Sequence, residues 1–344
     1  MLLFKYNIAE SPEAVHDYID SCAAAFSRMD SAMPPIFAID HEGGDVYRMG
    51  SAATRLPSAK IVATHLKPEA AQRLYDYSAT QLALLGIGMN LAPLAETRNA
   101  ENGEFLGTRA WSDSPDTVVA YASAAIRGIR AGGMVSVVKH FPGTGSGDPH
   151  SGDSVIHASK KEFRDGYIDN FRKILLENPE AVLVSHCVVP SIDPDTPFCV
   201  SEKGVRDILR KQLKYQGVVI TDDIAMKALS KRGYASGDAA VLAIKAGCDM
   251  VMTSDRDIKA IRRKIATAAR DDPAFARLLD ESVRRIALMK LRSGAAKTAL
   301  RRYADSRGSA LNGARSGGIG RFRADDYRFA IVECEKILGE MHGK

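Results

Sequence analysis

Short apolar runs recur along this chain, and each ends in polar or ionisable residues. Ile36-Phe37-Ala38-Ile39 leads into Asp40-His41-Glu42-Gly43-Gly44, and Gly86-Ile87-Gly88-Met89-Asn90-Leu91-Ala92-Pro93 into a loop with Glu96, Arg98, Arg109 and Trp111. The run at Val135 ends in Lys139 and His140, Ala181 to Ser185 meets His186, Gly217 to Thr221 meets Asp222-Asp223, and Asp249 to Thr253 meets Ser254-Asp255. Runs of this length without polar alternation read as strands buried on both faces. With Leu2 to Tyr6 they predict seven strands, near residues 2, 36, 88, 135, 181, 217 and 249.

Helical patterns lie between them. Ser11, with Glu13 behind it, opens a helix carrying Val15, Tyr18, Ile19, Cys22 and Phe26 on one face, and Pro34-Pro35 breaks it. Further helices are expected from about Pro68 to Leu85 and, after Ser114-Pro115, from Thr117 to Arg130. Alternating strands and helices with polar strand ends describe an α/β protein with parallel strands. A (β/α) barrel fits better than a doubly wound sheet, because chemistry-bearing tips occur at several strands rather than at one switch point.

Composition narrows the partners. The formal charge of +5 is concentrated between Lys297 and Arg323, where Lys297, Arg301, Arg302, Arg307, Arg315, Arg321 and Arg323 face one acid, Asp305. The rest is nearly neutral and that stretch has few aromatics, so no nucleic-acid partner is expected. Cys22, Cys187, Cys199, Cys248 and Cys334 are odd in number and scattered, which suits free thiols in a reducing compartment. Met1-Leu2-Leu3-Phe4 is too short for a signal core and no window approaches a membrane span, so a cytoplasmic protein without a membrane partner is expected. No metal-ligand spacing occurs.

Candidate chemistry gathers between Val135 and Ser154. Lys139, His140, Asp148 and His150 crowd into a loop punctuated by Pro142, Gly143, Gly145 and Gly147. Asp148 and His150 are two residues apart, close enough for the carboxylate to fix the imidazole tautomer, which makes the pair a candidate general acid/base. Asp222-Asp223 reads either as a reactive carboxylate at a strand end or as acids favoured at a helix N-terminus. Glu42, His186 and Asp255 read as structural, and Cys248 as core.

Lys139-His140-Phe141-Pro142-Gly143, Asp148-Pro149-His150 and Ile220-Thr221-Asp222-Asp223-Ile224-Ala225-Met226 together resemble the bacterial β-N-acetylhexosaminidases of glycoside hydrolase family 3. Asp40-His41-Glu42-Gly43-Gly44 with Arg48, Asn90-Leu91-Ala92-Pro93, Thr108-Arg109-Ala110-Trp111-Ser112 and Ala246-Gly247-Cys248-Asp249-Met250 extend the resemblance to about Arg292. It implies a TIM-type (β/α)8 barrel, with Asp222 as nucleophile, His150 as acid/base and Asp148 assisting. It further implies that Asp40, Arg48, Arg109, Lys139 and His140 hold a terminal N-acetylglucosamine, with no metal or organic cofactor. The family usually has Gln at His41, Arg at Asp45, His at Thr144 and Ser at Pro149.

The family's first strand has no counterpart ahead of Leu2. The expected fold is therefore a barrel lacking that strand, over residues 1–293, followed by a basic linker and helical extension over 294–344. The extension includes a Gly/Ser/Arg-rich stretch from Ser306 to Gly320 and a helix from Asp325 to Met341. The gap beside Leu2 to Tyr6 is expected to be uncovered or partly shielded by this tail.

The expected activity is exo-acting, retaining release of N-acetylglucosamine from cell-wall fragments or short oligosaccharides. Three other readings compete. One is phosphorolysis, because a His acid/base does not repel phosphate. Another is a non-catalytic N-acetylglucosamine-binding protein. The last is a different barrel enzyme whose Gly143-Thr144-Gly145-Ser146-Gly147 loop binds a phosphate through backbone N–H groups.

Overall fold

The computed structural model describes residues 1–28, 34–292 and 322–342. Among these, every predicted apolar run carries a strand: β1 (Leu2–Leu3), β2 (Ala38–Ile39), β3 (Met89–Asn90), β4 (Val135–Phe141) and β5 (Ala181–Val184). A short antiparallel pair, β6 (Val188–Val189) and β7 (Asp193–Pro197), follows before β8 (Val218–Asp223) and β9 (Met250–Met252). The sheet order is β1-β2-β3-β4-β5-β8-β9, and the registered pairs are parallel. This is the strand order of a (β/α) barrel with seven strands where the class has eight.

Several strands are shorter than their apolar runs. Beyond Asn90 the backbone still bonds outward, Leu91 N–H to the Ile39 carbonyl and Val137 N–H to the Ala92 carbonyl. Behind Leu3 the chain turns through a one-turn helix, Lys5–Asn7, rather than staying extended to Tyr6. The β6–β7 ribbon was not expected, since Asp193-Pro194-Asp195-Thr196-Pro197 has no strand pattern.

The chain forms two compact units. One comprises Met1–Pro93, Ala120–Val137 and the described residues from Met289 on; the other comprises Leu94–Val119 and Val138–Leu288. In the first, the helices Pro68–Leu84 and Pro115–Ala131 lie close together at Gly128, where a β-carbon would sit 2.3 Å from the Gln72 carbonyl oxygen. The expected C-terminal helix is present as Ala324–His342. It buries Tyr327, Ala330, Cys334, Ile337 and Met341, a three-four spacing that makes one face. That face packs on the helix Pro68–Leu84, and Gln81 Nε2 donates to the Ala330 carbonyl. The described tail thus lies on the helix joining β2 to β3. The linker from Ser306 to Gly320 and six of the seven basic residues, all but Arg323, lie outside the described residues.

In the second unit β8 is held by an ionic centre. Asp249, with its side chain 1% exposed, bonds Arg210 at 2.5 Å and Arg285 at 2.9 Å, and accepts the Val219 N–H at 2.8 Å. This carboxylate balances two guanidinium groups and pins the strand that carries Asp222. Asp249→Ala is expected to cost about 3–5 kcal/mol, because it leaves the cations uncompensated. Thermal denaturation should show a correspondingly lower midpoint, and an unchanged one would remove this role.

Among the described residues no helix is long and apolar enough to cross a membrane. All five cysteines are free thiols, and Cys248 is buried as expected.

Candidate active site

β4 is buried along its whole length and ends in polar residues that stay inside, Lys139 at 2% and His140 at 9% exposure. A buried ionisable group requires partners. His140 finds Glu96, which follows β3: Oε1 accepts from His140 Nδ1 at 2.6 Å and from its backbone N–H at 3.3 Å, while Oε2 accepts from Thr144 N–H at 2.5 Å. One carboxylate therefore orients the imidazole and anchors the loop that follows. The Lys139 carbonyl accepts the Ala95 N–H at 2.6 Å, tying the same two strand ends together.

β8 delivers Asp222 and Asp223, and the structure gives them different work. Burial alone would raise the Asp222 pKa, but the imidazoles of His186 and His140, the Asp223 N–H at 2.8 Å and the Lys139 ammonium outweigh it and hold the carboxyl below its usual value. Asp222 is thus anionic beside these groups. Asp223 spends its Oδ1 on the N–H groups of Ala225 and Ser254, both at 2.9 Å, which shapes the turn and fixes the loop after β9.

His186 follows β5 and lies 2.9 Å through Nε2 from the Asp223 carbonyl oxygen. A carbonyl only accepts, so Nε2 carries the proton, and Nδ1 faces the Cys199 thiol at 3.1 Å. Burial pushes the His186 pKa down, against the opposing charges of Asp222 and Asp223, and pushes the Cys199 pKa up. His186 is thus partnered at both ring nitrogens, in keeping with its structural reading, and lies near enough to Asp222 to act on its charge.

The Asp148–His150 pair sits on a loop whose base is a small ribbon, with Ser146 and Val155 exchanging both backbone bonds. Gly145 is obligatory there, because a β-carbon would lie 2.0 Å from the Val155 carbonyl oxygen. At the tip, Asp148 Oδ1 accepts from the His150 N–H at 2.9 Å and lies 2.8 Å from Nδ1. Burial, which would raise the Asp148 pKa, is outweighed by these bonds from His150, and the carboxyl is held below its usual value. Nδ1–H then points at Asp148 and Nε2 is the atom left to move a proton. The His150 side chain is 66% exposed. Contacts from outside brace this loop: Ala228 N–H donates to the Pro149 carbonyl at 3.2 Å, the Arg232 guanidinium donates to Asp153 at 3.0 and 3.1 Å, and the centre of the Phe105 ring lies 6.0 Å from that of the imidazole. The guanidinium of Arg109 lies 5.7 Å from the centre of the same Phe105 ring.

The glycine loop does not form the backbone anion cradle that sequence allowed. Thr144 N–H is spent on Glu96, Gly145 N–H on Ser154 Oγ and Ser146 N–H on the Val155 carbonyl.

Residues 1–289 match the model of the glycosyl hydrolase family 3 N-terminal domain. The chain belongs to glycosyl hydrolase family 3. It is a glycoside hydrolase similar to the β-hexosaminidase of Idiomarina loihiensis, 30% identical over 301 residues that span 86% of each chain. Among solved structures it resembles a family 3 β-N-acetylglucosaminidase from Paenibacillus, with a TM-score of 0.78 at 26% identity, covering 99% of this chain and 62% of that one. A β-N-acetylhexosaminidase from Beutenbergia cavernae gives a TM-score of 0.71 at 27% identity over 84% of this chain and 96% of that one.

In this family 3 chain the second unit brings together Lys139, His140 and Asp222, joins Asp148 to His150, and links Arg109 to His150 through Phe105. Sequence reading did not assign Glu96 a role; its signal was an acid just past a buried run, the same pattern that marked Asp40 and Asp222. Asp40 and Arg48 belong to the first unit, beyond β2. Next to Asp40, His41 is fully buried; its main chain is clasped by the Asn90 side chain at 3.1 and 2.9 Å, and among the described residues neither ring nitrogen has a hydrogen-bond partner. Burial, aided by the Arg48 charge, lowers its pKa from 6.5 to about 4.

The sign of the consequence is fixed. Unfolded His41 takes up a proton below its ordinary pKa while the folded form resists, so its contribution is complete above 6.5 and falls as pH drops towards about 4. That loss amounts to about 3 kcal/mol. His41→Gln is expected to flatten the acid side of the stability profile, measured by denaturant unfolding between these pH values. An unchanged slope would assign the acid sensitivity elsewhere.

Proposed function

We propose that this family 3 glycoside hydrolase is an exo-acting, retaining β-N-acetylglucosaminidase that works on cell-wall fragments or short oligosaccharides. The observation that carries the reading is an anionic Asp222 among Lys139, His140 and His186, in the same unit as a carboxylate-paired His150. In the first step Asp222 attacks the anomeric carbon while His150 gives its Nε2 proton to the departing glycosidic oxygen. In the second, His150 takes a proton from water, which attacks the glycosyl ester and releases the sugar with the configuration retained. Imidazole suits both halves, since its ordinary pKa of about 6.5 needs no large shift to serve as acid and base near neutrality.

Asp148 holds the ring and stabilises its cationic form. Lys139 and Arg109 bind the hydroxyl-rich sugar as donors, and His140 turns its Nε2 to the same sugar. The family resemblance implies a sugar-binding role for Asp40 and Arg48 as well. The names of the relatives support N-acetylhexosaminide specificity.

The test is a chromogenic β-N-acetylglucosaminide beside the β-glucoside, each with and without phosphate. Release from the first alone, independent of phosphate, is expected. A sugar 1-phosphate product would replace hydrolysis by phosphorolysis, and binding without release would leave a sugar-binding protein.

A further inference from the structure

We propose that Phe105 is a positioning residue for the acid/base, a rigid aromatic platform that fixes the orientation of the His150 imidazole. The inference rests on the acid/base reading of His150 given above. Asp148 sets the tautomer of His150, yet both ride on the same loop tip and move together. Orientation relative to the rest of the unit must come from groups outside that tip. Among the described residues such contacts come from the Ala228 N–H on the Pro149 carbonyl, the Arg232 guanidinium on Asp153 and the Phe105 ring. Of these the ring is the one that faces the imidazole.

Phe105 is fit for this because its own place is fixed. It follows Gly103 and Glu104 on the short helix Gly103–Leu106 and packs against the buried side chains of Leu94, Leu106 and Ala110. Its ring meets the imidazole with centroids 6.0 Å apart and planes tilted by 38°, within the range where aromatic pairs attract. Since Arg109 also lies against Phe105, the platform couples a proposed sugar-binding group to the proton donor.

Phe105→Ala, Phe105→Leu and Phe105→Trp would be compared on a disaccharide and on an aryl glycoside with an activated leaving group. The expected result for Phe105→Ala is roughly a tenfold lower kcat/KM on the disaccharide, with the aryl substrate nearly unaffected because it needs no proton at departure. Phe105→Trp should restore the disaccharide rate, and Phe105→Leu, which keeps the packing on Leu94, should not. Adding Phe105→Ala to His150→Ala should change nothing further.

Equal loss on both substrates, full activity in Phe105→Leu, or an additive double mutant would overturn the positioning role while leaving His150 as acid/base. If His150→Ala itself spares the disaccharide, the acid/base reading falls and Phe105 falls with it.

Discussion

Asp222→Asn is expected to remove nearly all turnover, by roughly a thousandfold or more, as loss of a covalent nucleophile does. An amide cannot form the glycosyl ester, and its neutral group no longer answers the cationic side chains around it. Because the Asp222 pKa is held below the ordinary carboxylate value, its charge contributes stability above that value, lost as pH falls through the lowered one. The variant should therefore melt somewhat lower while still binding N-acetylglucosamine. Asp223→Asn is the matched control. It keeps an oxygen at Oδ1 for the N–H groups of Ala225 and Ser254, so the turn and substantial activity should persist. Equal loss at both positions, with both proteins folded, would make the pair structural.

His150→Ala carries the second large effect. On substrates with poor leaving groups, kcat/KM should fall by about 10²–10⁴, the usual worth of a positioned acid, while activated aryl glycosides lose far less. A plot of rate against leaving-group pKa should therefore steepen. Asp148→Asn should act in the same direction with smaller size, because an amide oxygen can still accept from Nδ1–H but cannot stabilise the imidazolium. A uniform loss across leaving groups would give His150 a binding role and return attention to His140.

The seven strand positions and the polar rim were readable from the chain because they rest on local facts. A run such as Val135-Ser136-Val137-Val138 must be buried wherever it lies, and the ionisable groups behind it must then sit at a strand end. The Asp148–His150 contact was readable for the same reason, since two residues of spacing limit how far apart the side chains can be. The family motifs, also contiguous, marked Asp222 and His150 together.

Pairings across long separations were decided only by the tertiary structure. Glu96 and His140 are 44 residues apart, and nothing in either neighbourhood names the other. Asp222 and Asp223 are the same residue type side by side, and what separates them is the Ser254 N–H, brought from beyond β9. His186 gained its tautomer from a carbonyl 37 residues away, and Phe105 met His150 across a loop whose own sequence shows only an aromatic before Leu106. The tail helix announced its apolar face but not the helix it covers. Local sequence determines which groups must be buried or left at a strand end, because solvation and chain reach act residue by residue. Which donor meets which acceptor depends on the crossing of distant segments, and that is a property of the packed chain alone.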